Sequence, residues 1–158
     1  MKAASLHEVK KELNNLAPDQ VMELCLRLAK YKKENKELLS YLLFDAHDED
    51  AFIKGVKEEM VELFADIHNS NLYYAKKNLR KILKAVNKHI KHSGNVTTEI
   101  ELLLFYCNKI KEANIAIQRY PVLLNLYNNQ VKKIQKAISK LHEDLQYDYQ
   151  GEVEKILY

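Results

Sequence analysis

Glycine and proline are nearly missing from this chain: three Gly and two Pro in 158 residues. A β-rich or loop-rich fold needs many more turn formers, so the scarcity predicts helices joined by short links. Three scattered glycines also exclude the glycine-rich loops that cradle phosphates. Tryptophan is absent and cysteine occurs twice, at Cys25 and Cys107. Both cysteines fall beside leucines on apolar stripes, which predicts small buried hydrophobes in a reducing compartment and no activated thiol. The longest apolar run, Leu102 to Cys107, is far too short to span a membrane. The opening MKAASLHEV holds no signal-peptide core, so the expected location is the cytoplasm and the sequon at Asn95 is expected to be idle.

What is abundant is apolar residues at helical spacing, and no alternating run argues for a strand. The chain reads as one all-α domain, 1–158, of about seven helices in antiparallel hairpins: a helical bundle or a short α-solenoid-like stack. Ser5 to Glu8 is a capping box opening the first helix. Pro18 suits the first turn of the second. Asn35 is placed to cap the third, and the acidic run Asp45–Asp50 suits the start of the fourth, whose stripe is Ile53, Val56, Met60, Leu63, Phe64 and Ile67. Asn69 or Ser70 is expected to open a fifth, on Leu72, Ala75, Leu79, Leu83, Val86 and Ile90, and Gly94 to stop it in a left-handed cap. Thr98 and Glu101 form a second capping box before a sixth helix on Ile100, Leu103, Leu104, Cys107 and Ile110. After Pro121 a long helix 122–147 is expected, with Gly151 setting off a last short turn.

The fifth helix, 72–92, concentrates the charge. It holds Lys76, Lys77, Arg80, Lys81, Lys84, Lys88 and Lys91 and no acid, while the whole chain carries only +3. At about 100° per residue the cations fill one arc of roughly 140°, apart from the apolar stripe, with Tyr73 among them. Such a face attracts phosphate backbones, and a tyrosine ring can stack on a base. Two features weigh against that reading. The preceding helix carries Glu58, Glu59, Glu62 and Asp66, which are placed to neutralise the lysines, and only one of the seven cations is Arg.

Other chemistry is sparse. His89 and His92 share a helix side but have no carboxylate in the same helix to complete a metal site. Asp45–Asp50 lacks the glycine and distal glutamate of an EF-hand loop. No Glu-x-x-His pair of a di-iron bundle and no serine nucleophile motif occurs. The sequence therefore names no catalytic, cofactor-binding or metal residues and no small-molecule substrate. The tail from Leu145 to Tyr158 is expected to close the chain's own core, with docking on another subunit as the alternative.

The stretch from Ser5 to Phe44, SLHEVKKELNNLAPDQVMELCLRLAKYKKENKELLSYLLF, resembles the opening of a family of small uncharacterised helical bacterial proteins, a domain of unknown function. The resemblance implies a bacterial cytoplasmic protein and supplies no functional residues. The expectation is a non-enzymatic helical module binding another protein or itself. The alternative is a nucleic-acid-binding protein that uses helix 72–92 and the basic side of helix 122–147, where Lys132, Lys133, Lys136 and Lys140 lie.

Overall fold

The computed structural model describes residues 2–67 and 71–158. It is all-α: eight α-helices and no strand among the described residues. The chain divides into two compact units, 1–44 and 45–158.

The first unit holds α1 (Leu6–Leu13), α2 (Pro18–Tyr31) and α3 (Lys33–Ser40). The Ser5 capping box forms as expected: the Glu8 amide donates to Ser5 Oγ at 3.3 Å, and the Ser5 amide donates to Glu8 Oε2 at 2.7 Å. The Ser5 hydroxyl, which also donates to Glu8 Oε2 at 2.7 Å, and then the Ser5 amide hold the Glu8 carboxyl below its ordinary range. Pro18 opens α2 at its first turn. Asn35 does not cap α3, which begins two residues earlier. Its side-chain amide instead donates to the Leu28 carbonyl at 2.8 Å, near the end of α2. Helix α3 folds back on α2.

The second unit is built around α6. It contains α4 (Glu49–Ala65), α5 (Leu72–Ser93), α6 (Val96–Glu112), α7 (Pro121–Ile138) and α8 (Glu143–Ile156), and α6 packs against each of the other four. That position explains why α6 buries more than the expected stripe. Leu102 and Tyr106 are sealed along with Ile100, Leu103, Leu104, Cys107 and Ile110. Each large apolar side chain buried this way contributes roughly 1.5–3 kcal/mol. The α4 stripe is buried as read, with Leu63 at its margin. On α5 the buried set is Ala75, Leu79, Ile82 and Val86; Leu72, Leu83 and Ile90 sit at the edge. The core-facing direction is thus rotated toward Ile82.

Several caps differ from expectation. Asn69 and Ser70 lie outside the described residues, and Asn71 caps α5, its side chain accepting from the Tyr73 amide at 2.9 Å. Asn95 caps α6 in place of Thr98, which lies a turn inside it, fully buried, and donates its hydroxyl to Glu49. Ser93 donates to the same carboxylate, so the start of α4 is tied to the α5–α6 junction. Gly94 has φ 65° and ends α5 in the left-handed conformation, where a side chain is strained.

The long helix 122–147 is two helices. It stops after Ile138, where the Ser139 hydroxyl returns to the Lys136 carbonyl at 2.8 Å, and restarts behind an extended His142. Gly151 lies inside α8 and separates nothing. The tail closes its own core: Ile156 is fully buried, and Tyr127 Oη donates to its carbonyl at 2.7 Å. Lys111 Nζ donates to the carbonyls of Lys155 and Leu157, at 2.7 and 2.8 Å, supplying two of the partners a helix C-terminus lacks.

Candidate polyanion-binding face

Helix α5 owes its length to a strong cap at each end and to an apolar row on one side. Its four buried residues centre on one direction of the helix wheel, and the seven cations centre nearly opposite. The row therefore points away from the core. Lys77, Arg80, Lys81, Lys84 and Lys91 are exposed; Lys76 and Lys88 are half-buried at its margins. From Lys76 to Lys91 the row runs about 22 Å at 1.5 Å per residue. Tyr73 stands in the same arc, 69% exposed, in edge-to-face contact with exposed Tyr74 at 5.7 Å.

The acids of α4 do not cover this row. Glu59 pairs with His89 at 3.1 Å, on the α4 flank of α5 rather than on its outward side. Among the described residues Glu58, Glu62 and Asp66 make no ion pair, and neither do Lys76, Lys77, Arg80, Lys81, Lys84 or Lys91. These six charges, Lys88 apart, are thus paired neither within the helix nor with an acid of α4 among the described residues. Cations three or four apart (Lys76–Arg80, Lys77–Lys81, Arg80–Lys84, Lys84–Lys88 and Lys88–Lys91 among them) repel by a few tenths of a kcal/mol per pair.

The second basic side is exposed as well. Lys132, Lys133 and Lys136 project from α7, and Lys140 lies beyond its end. The principal neighbours of α7 are α6 and α8, whereas those of α5 are α4 and α6, so the two basic sides belong to helices that share α6 as neighbour.

The remaining candidates are absorbed into packing. His89 meets Phe52 edge-on at 5.9 Å and His92 at 6.4 Å. Among the described residues no three His, Cys, Asp or Glu side chains gather as metal ligands. Cys107 is sealed in the core, and burial pushes its thiol up to about 12, so it stays protonated at neutral pH. Cys25 departs from expectation: it is exposed, because α2 has more apolar surface than α3 covers. Both cysteines are free thiols. Tyr106 and Tyr127 are fully buried. Tyr106 Oη donates to the Leu79 carbonyl at 3.0 Å, and burial raises both phenols well above their ordinary range. Tyr149 is half-buried and donates to Glu101 at 3.0 Å, beside the Lys57–Glu101 ion pair at 2.7 Å.

The first unit leaves an apolar surface that the helical stripes alone do not predict. Among its described residues only Tyr41 is buried. Leu6, Met22, Leu26, Leu28, Leu42, Leu43 and Phe44 are each at least half exposed. A usable signal was present: apolar residues occupy well over half of the α2 wheel, more than one neighbouring helix can cover. Among the described residues no helix is long and apolar enough to cross a membrane. No known protein family, no curated protein and no solved structure matches this chain.

Proposed function

We propose that this protein is a helical interaction module that binds another protein, or a second copy of itself, through the apolar helix faces of residues 6–44. The observation that carries the reading is the exposure of Leu26, Leu28, Leu42, Leu43 and Phe44 within one short segment. Isolated exposed leucines are ordinary, but a cluster of large apolar side chains marks a contact surface. Helix faces of this kind dock into grooves or onto other helices through residues three and four apart. The reading places the protein in a reducing cytoplasm, where exposed Cys25 remains a thiol.

The test is quantitative co-purification of the full chain from cells that make it, against the double variant Leu26→Lys/Leu43→Lys. The expected result is a stoichiometric companion, either a different protein or a second copy carrying another tag, that is lost with the variant. An unchanged set of co-purifying proteins would rule the reading out.

A further inference from the structure

We infer that the outward face of α5 is a docking surface for the phosphodiester backbone of a nucleic acid. It is a different surface from the apolar faces of residues 6–44 and needs a different partner. Six cations, Lys76, Lys77, Arg80, Lys81, Lys84 and Lys91, lie along one side of one helix with no ion pair among the described residues. The helix holds no acid, and the nearest acidic helix spends Glu59 on His89. A helix with mutually repelling charges and no internal counter-charge gains most from a ligand that is itself a row of anions. A duplex offers one charge per about 1.7 Å of axis, so a row of about 22 Å meets several successive phosphates.

The same residues favour this ligand over two others. A membrane surface takes a cationic helix together with its apolar side. The apolar side of α5 is sealed in the core through Ala75, Leu79, Ile82 and Val86. An acidic protein surface would have to match a straight row four turns long, which a phosphate backbone supplies by its own repeat. The lysine content sets the mode of binding. Base reading in grooves relies on Arg, Asn and Gln forks, whereas lysines act as point charges on phosphate. The face therefore holds backbone and does not read sequence. Exposed Tyr73, among the cations, offers a ring on which an unpaired base can stack.

The experiment is fluorescence anisotropy of the full chain with three probes: a mixed-sequence single strand and a duplex, each of about 20 nucleotides per strand, and phosphatidylcholine vesicles with about a third phosphatidylserine. Nucleic acid is expected to bind at low salt, with log K falling against log salt with a slope of about −3 or steeper. K77E/R80E/K84E, which circular dichroism should show still helical, is expected to weaken binding at least about 30-fold. K132E/K133E/K136E changes the net charge equally and is expected to weaken it less than about threefold. If charge reversal disturbs the helix, K77Q/R80Q/K84Q replaces it, with about tenfold weakening expected. Tyr73→Ala separates the two nucleic acids: weaker binding of the single strand alone assigns a stacked strand, and no change assigns the duplex backbone. Absence of binding at low salt would overturn the inference. So would equal loss from the α5 and α7 variants, which would mean bulk attraction only, or binding to vesicles without binding to nucleic acid.

Discussion

Helices α2 and α6 contain similar proportions of apolar residues and meet opposite fates. In α6 seven apolar side chains from Ile100 to Ile110 are sealed among four surrounding helices. In α2 no residue is buried, and Met22, Leu26, Leu28 and Tyr31 are at least half exposed. The difference lies in the number of neighbours rather than in the helices themselves. Hydrophobic stabilisation comes from area removed from water, and one short partner such as α3 removes little of it. The second unit thus removes its apolar surface from water on folding, and the first leaves much of its own exposed.

The sharpest way to break that contrast is to truncate one leucine in each helix. Leu103→Ala in α6 is expected to cost about 2–5 kcal/mol, because it leaves a cavity at a fully buried position of the helix around which the unit packs. Urea denaturation checks it, and a loss below about 1 kcal/mol would mean that α6 is not the centre of the core. A middle-sized effect concerns the edge of that core. Burial first, and then the hydrogen bond to Glu101, push Tyr149 up to about 12. An unfolded tyrosine titrates near 10. The folded state therefore holds its proton more tightly, and this stability is complete below about pH 10 and lost as pH rises through about 12. Urea midpoints measured across that window should fall less steeply in Tyr149→Phe than in the parent, and equal slopes would refute the assignment. The smallest effect belongs to the first unit. Leu26→Ala is expected to change stability by no more than about 0.5 kcal/mol, as exposed positions do. A loss of 2 kcal/mol or more in the same urea series would mean that the leucine is covered within the free protein.

Much of this architecture is legible in the sequence alone. The α4 stripe, the Ser5 box and the Gly94 cap are local patterns, decided within four or five residues of sequence. The break between α7 and α8 escaped because Ile134, Ile138, Leu141 and Leu145 keep helical spacing straight through it. Only the Ser139 hydroxyl and the acids Glu143 and Asp144 after His142 mark it. The Thr98 box misled because its Thr and Glu are both engaged across the fold, with Glu49 on one side and Lys57 and Tyr149 on the other. The cationic row itself was legible residue by residue, since a helical wheel separates charge from stripe. Its freedom from Glu58, Glu62 and Asp66 was not, because a wheel does not say which flank a neighbouring helix takes.

The bonds from Lys111 to the end of α8 set a clock on synthesis. Forty-four residues separate this lysine from its first acceptor at Lys155. At about 5–20 residues per second, roughly 2–9 s pass between making the cation and making the carbonyl it holds. Through that interval the side of α6 that α8 will cover stays bare. The helix that packs against all four others of its unit is therefore covered in full only once α8 has been made.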